Sequence, residues 1–336
     1  MKQYPPRGHF EWQTLVGAWD GEPEGGSHFE RFWDIHVDGS YPLGTFRDAD
    51  GVVYACVRRI ANAGDSVGLV LQTNVDGKAL RIHPGSAEGY SGPVRQHLDE
   101  AQHVFRGGGE PPAARAFSLA VTRGTVHWRE AAVLDIHGHM IGPGLQWFTP
   151  WPQHGGAFYT ARLFRCSGTI LGKPVEGFLG FDQYYFPPGF AYATDPFVQE
   201  LKLSYIVFGN EYEDGDIEVG HAFFGHDRWG GAMINDRDGP VVLTTDVHAE
   251  IHGRDDRGCA TRILYRIDDV DWEFIAQPNA RMLDFLGSDA INPAQEGQFR
   301  RVGETRRVRT WWAWTESVPR HGERRRAIRL QGPVRR

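Results

Sequence analysis

Short runs rich in Val, Ile, Phe, Tyr and Thr recur along this chain about every 8 to 12 residues, each closed by Gly or by an Asp-Gly pair. Asp38-Gly39, Asp50-Gly51, Asp76-Gly77, Asp214-Gly215 and Asp238-Gly239 are the turn candidates. Such a rhythm leaves little room for helices and predicts an all-β chain of antiparallel strands. From Val241 to His252 the alternation is clean: Val241, Leu243, Thr245, Val247, Ala249 and Ile251 share one face, and Thr244, Asp246, His248, Glu250 and His252 the other. The segment reads as one half-buried strand. Helical patterning is confined to short pieces near Pro93 to Phe105 and Asn279 to Leu286.

With 336 residues the chain exceeds one ordinary core, and roughly 100 to 200 residues per domain predicts two. The strongest break runs from Ile141 to Gly156, where Pro143, Pro150, Pro152 and Gly155-Gly156 surround Trp147, Phe148 and Trp151. It divides the chain into residues 1–145 and 146–330, each with strands enough for a barrel.

A net charge of -7 argues against a nucleic-acid partner, because phosphate binding runs on clustered Lys and Arg. The exception is the basic stretch from Arg320 to Arg336, which reads as a solvated tail. Cys56, Cys166 and Cys259 stand singly, without disulfide or zinc spacing. Met1 to Trp12 has no signal-peptide core, and no run of about 18 apolar residues suggests a transmembrane segment. The expectation is a cytoplasmic protein; a homodimer is compatible with the sequence.

From Gln146 to Gly189 the text reads QWFTPWPQHGGAFYTARLFRCSGTILGKPVEGFLGFDQYYFPPG. With Ser167-Gly168, Gly172, Gly177, Gly180 and Asp182 in corresponding places, it resembles the linker and second-barrel start of the AttH and carotenoid 1,2-hydratase group of tandem lipocalin-like proteins. The group's pattern carries His, an acidic residue or Gln, and Trp where this chain has Gln183, Tyr184 and Tyr185. The resemblance implies two calycin-type β-barrels packed together, an apolar ligand, and activity on isoprenoid-like or other greasy substrates.

Several residues stand out for chemistry. Glu130 shares a period-2 face with Val126, Trp128, Leu134 and Ile136, and Asp182 shares one with Phe178 and Tyr184. Carboxyls on apolar faces lose water, stay protonated near neutral pH and can act as general acids. Glu130 paired with an Arg, or Asp182 capping a turn, is the bland reading of each. Either His221 or His226 is an acid–base candidate if it faces a cavity. His137 and His139 share a strand face, but no third ligand is at hand, so no metal is expected. The rings of Trp147, Tyr159, Phe178, Tyr184, Tyr185 and Phe224, with Gln146, are candidates to wall a ligand site, with Tyr184 also placed in the chemistry.

No GxSxG, HExxH, Walker or dinucleotide sequence occurs, and no cofactor is expected. The first reading is a cofactor-independent enzyme on a hydrophobic small molecule (isoprenoid-, polyketide- or aromatic-like), a hydratase, isomerase or cyclase working by proton transfer in a dry barrel cavity. A carrier or sensor of an apolar ligand is the alternative, and a carbohydrate-active β-protein the third.

Overall fold

The computed structural model describes residues 14–317 apart from 20–30, 33–34, 62–63, 67, 78, 89, 99–101, 109–115, 151–155, 188–200, 227–228, 257 and 283–293. Met1 to Trp12, Trp151, Phe190, Tyr192 and the Arg-rich stretch from Arg320 lie outside the described residues.

The chain is all-β and its strands form two antiparallel sheets, one closed and one nearly closed. The first holds β1 (Leu15–Trp19), β2 (Arg31–Phe32), β3 (Ile35–Arg47), β4 (Val53–Val57), β5 (Ile60–Ala61), β6 (Asp65–Ser66), β7 (Val70–Thr73), β8 (Arg81–Ile82), β9 (Gly92–Leu98), β10 (Gln102–Gly107), β11 (Phe117–Thr122), β12 (Thr125–Glu130), β13 (Leu134–Met140), β14 (Gly144–Thr149), β15 (Ala157–Ile170) and β16 (Lys173–Phe186). The second holds β17 (Lys202–Tyr212), β18 (Ile217–Gly225), β19 (Gly230–Asn235), β20 (Pro240–Thr244), β21 (Val247–Arg254), β22 (Ala260–Ile267), β23 (Val270–Met282), β24 (Ala294–Arg301) and β25 (Val308–Ser317).

Three strands organise the first sheet. β3, β15 and β16 run 13, 14 and 14 residues, far beyond the usual five or six or so. Each half of β15 therefore finds a different neighbour: β14 along Ala157–Ala161 and β13 along Phe164–Ile170. Because β16 pairs with both β15 and β3, the ladder through β13, β12, β11, β10, β9, β6 and β5 closes on itself. The second sheet is a meander whose last strand, β25, returns to pair with its first, β17, leaving β20 and β21 as its edges.

Four sequence expectations are corrected. The break from Ile141 to Gly156 does not divide the sheets. It contains β14 and reaches the start of β15, and these two strands pair antiparallel from Leu145↔Ala161 to Thr149↔Ala157 within the first sheet. The sheets part instead between Phe186 and Lys202. Pro93 to Leu98 belongs to β9 and Gln102 to Phe105 to its antiparallel partner β10, and β23 takes Asn279 to Met282, the rest of that piece lying outside the described residues. Finally, Val241 to His252 is two strands. Thr244 Oγ1 accepts from the Asp246 N–H and turns the chain, so Val241 and Leu243 are exposed while Val247 is buried.

Side chains form three layers. The interior of the first sheet is packed by Phe46, Tyr54, Trp128, Phe164 and Phe181 among others, and that of the second by Phe208, Trp272, Phe274 and Phe299. Trp272 stacks on Phe299 at 5.2 Å between centroids. The barrel interiors expected to hold a hollow are thus occupied by the protein's own rings. A third layer lies between the sheets: Leu43, Trp147, Tyr159, Phe178 and Tyr184 from the first meet Tyr205, Val207, Phe223, Trp229, Trp312 and Trp314 from the second. Strands β16, β17 and β25 therefore bury both faces, so that Val207 enters the middle layer while Ile206 and Phe208 enter the second interior.

Candidate active site

The middle layer should be the driest part of the molecule, yet it holds ionisable groups. On β16, Leu179 and Phe181 point into the first interior, so Phe178, Gly180, Asp182 and Tyr184 take the opposite face, towards the second sheet. Asp182 is opposite Ala161 on β15 and Tyr41 on β3 and is 5% exposed. Two residues along β15 from Ala161, Tyr159 reaches across to Tyr205 on β17, and the two hydroxyls are hydrogen-bonded. The Tyr205 hydroxyl also bonds His221 Nδ1 on β18 at 2.7 Å. The Tyr159 and Tyr205 hydroxyls both lie close enough to the Asp182 carboxyl to favour its ionised form. One carboxyl, two phenols and one imidazole are thus joined into a chain spanning both sheets.

Two atoms at the ends of this chain, Asp182 Oδ1 and His221 Nε2, have no hydrogen-bond partner among the described residues. Buried polar atoms are nearly always bonded, so these two are exceptions. Asp182 makes no ion pair with a described residue. Lys202, fully buried nearby, is committed to Glu316, whose Oε1 also receives Trp314 Nε1 at 3.2 Å.

Electrostatics follow from that dryness. Burial pushes the Asp182 carboxyl up to about 8, the Glu316 charge adds to the rise, and the Tyr159 and Tyr205 hydrogen bonds and Lys202 oppose it. Burial takes His221 down to about 3. Near neutrality the carboxyl is mostly protonated and the imidazole neutral. Burial also holds both phenols well above their ordinary range.

Rings surround the chain. Trp147 stacks on Tyr159 at 5.4 Å and meets Tyr184, Phe223 and Trp229 at 6.1, 5.7 and 6.0 Å. Tyr184 packs on Tyr159 at 4.5 Å.

Of the residues singled out in the sequence, Asp182, His221, Tyr184, Tyr159, Trp147 and Phe178 share the middle layer, Phe178 lying against Gly209 and beneath the Arg165 guanidinium. The others go elsewhere. Glu130 is in the first interior beside Trp128 and forks onto Arg58, with Arg58 Nε and Nη2 each 2.6 Å from a carboxylate oxygen. His226 is half-buried in the turn after β18. Gln146 reaches the Ala18 carbonyl on β1 at 3.3 Å, Tyr185 packs with Val37 and Phe158 on the opposite face of β16, and Phe224 belongs to the second interior, against His248 at 5.0 Å. His137 and His139 are exposed on β13.

Tyr205, Lys202, Glu316 and Glu296 were not foreseen. Glu296 on β24 is a second buried inter-sheet carboxyl: Thr45 Oγ1 on β3 donates to it at 2.8 Å, and burial pushes it up to about 8 against the pull of Thr45 and Arg47. The only available signal was the run of strand-forming residues from Lys202 to Tyr212, in which both faces are apolar and no face can be assigned.

No family model and no curated protein matches the chain. Among solved structures, an AttH-type protein from Nitrosomonas europaea is 15% identical, with 89% of this chain and 97% of that one covered at a TM-score of 0.50. CghA with Sch210972 is 11% identical over 91% and 98% at 0.46, and kievitone hydratase from Nectria haematococca 9% over 84% and 89% at 0.47. At such identities the likeness to the first is one of fold: two AttH-like β-barrels in tandem.

Proposed function

We propose that this chain, which has the tandem-barrel fold of the AttH-type protein, is an enzyme that moves protons on a hydrophobic small molecule held between its two sheets. The observation that carries the reading is the carboxyl of Asp182, buried among rings, without an ion-pair partner among the described residues and linked through Tyr159 and Tyr205 to a neutral His221. Asp182 is the general acid and donates its proton to an alkene, enol or carbonyl. The carboxylate left behind is stabilised by the neighbouring phenols and by Lys202. Trp147 and Tyr184 present ring faces to positive charge developing on the substrate. A proton taken from the substrate, or from an attacking water, is accepted at His221 Nε2 and returns to Asp182 through Tyr205 and Tyr159. Loss of a proton gives an isomerase or cyclase, and addition of water a hydratase.

Glu130 stands outside this machinery, because it lies in the first interior with both carboxylate oxygens forked onto the buried Arg58 guanidinium, which opposes the rise that burial gives its pKa.

The test begins with mass spectrometry of the molecule that co-purifies with the protein, before and after incubation. Asp182→Asn is expected to bind that molecule as the parent does while turnover drops by about 10²- to 10⁴-fold. Undiminished turnover in that variant removes Asp182 from the reaction, and a ligand unchanged in the parent makes the protein a carrier.

A further inference from the structure

Away from the middle layer, the ends of β21 to β24 meet β7 and β8 of the first sheet around a cavity of about 560 Å³, within the range that takes small molecules. Its wall is shaped by an irregularity in β23. Ala276 pairs with Gly297 and Arg281 with Gln295, so residues 277–280 oppose Glu296 alone. Pro278, which has no N–H to offer a ladder, sits in this wide bulge, and Gln277 lines the cavity from it.

Glutamine side chains contribute much of the polar wall. Gln72 and Gln295 line it while only 1% and 3% exposed. Gln72 spends its Nε2 on the Arg281 carbonyl at 3.2 Å, and its Oε1 has no partner among the described residues. Gln277 Nε2, Gln295 Nε2 and Arg281 Nε are likewise without one. Three donors and one acceptor in side chains along one cavity wall thus lack partners, set just behind the cavity surface, whereas buried polar groups in proteins are generally satisfied.

We propose that this cavity is a second binding site, separate from the acid of the middle layer, for a neutral hydroxyl-bearing small molecule of saccharide size. Amide groups that offer both donors and acceptors match hydroxyls, which are both. An anion is disfavoured because the two arginines of the wall, Arg81 and Arg281, are matched in number by Asp255 and Asp256, which lie 3.1 and 3.6 Å from Arg281. A planar aromatic ligand is disfavoured because, among the described residues, no ring lines the space on which it would stack. Saccharide recognition here rests on glutamines, not on the tryptophans that the composition brings to mind.

The test is saturation-transfer NMR on the full chain with D-glucose, maltose and trehalose as probes and inorganic phosphate and indole as comparators. At least one saccharide is expected to bind saturably, with Kd raised about tenfold or more in Gln277→Ala. Should that variant misfold, Thr261→Val, also on the cavity wall, carries the same expectation. Asp182→Asn is expected to leave the saccharide Kd unchanged, which separates this site from the one in the middle layer. The proposal is overturned if none of the three saccharides binds, if phosphate or indole displaces the bound sugar, if both cavity variants retain the parental Kd, or if Asp182→Asn abolishes binding.

Discussion

Asp182 and His221 owe their protonation states to the same dryness, acting in opposite directions on a carboxyl and an imidazole. With the acid protonated below about 8 and the base neutral above about 3, kcat/KM is expected to stay level between those values and to fall above about 8. A bell with its acid limb near 6 would contradict this pairing. Stability follows with a definite sign. The Asp182 carboxyl is raised from 3.8 to about 8, so its contribution is fully present below the lower value and is lost as pH rises through the upper one. Asn at this position cannot ionise, so the Tm of Asp182→Asn should gain on the parent between pH 5 and 9. Glu130 behaves differently. Its partner Arg58 is fully buried, and Arg58→Ala leaves a buried carboxylate without its counter-ion, which should cost about 3–5 kcal/mol in denaturant unfolding. Glu130→Gln should leave the pH–activity profile of the parent unchanged.

Strands β15, β16 and β17 carry the site because each buries both faces, and β17 needs a glycine to do so. A Cβ on Gly209 would stand 2.6 Å from the Phe178 ring across the layer, so Gly209→Ala should destabilise by about 1–3 kcal/mol, read from the urea midpoint. How much of this was legible in the sequence depends on where each strand lies. Alternation survives where one face meets solvent: Val126, Trp128 and Glu130 are buried in β12 while Thr125, His127 and Arg129 are exposed. It placed Glu130 inward, though not opposite Arg58, a partner 72 positions away. It also put Asp182 and Tyr184 on one face of β16. Alternation carries no such information in β17, whose faces are both apolar, and Tyr205 went unnoticed. It failed too across Thr245 and Asp246, where a turn reverses the parity of Val241 and Leu243. The Pro and Gly residues around 141–156 read as a boundary between domains, but composition cannot tell a break between two strands of one sheet from a linker between sheets.

The two sheets share one continuous apolar layer, and ion pairs fasten its edge: Arg165 bonds Glu211 on β17 and Glu176 at 2.6 Å each, and Arg309 on β25 also meets both carboxylates. A layer assembled from both sheets cannot survive in one alone, so calorimetry should give a single unfolding transition; two resolved transitions would show that the sheets stand independently. For the same reason the proton on Asp182 belongs to the whole molecule, since only the docked sheets together remove water from it. The most direct test is a pH titration of the carboxyl carbon of Asp182 by NMR, in protein with ¹³C-labelled aspartate and with Asp182→Asn to assign the signal. A carboxyl that is protonated at pH 6 and titrates with a midpoint of about 8 is expected. A carboxylate already ionised at pH 6 would contradict it.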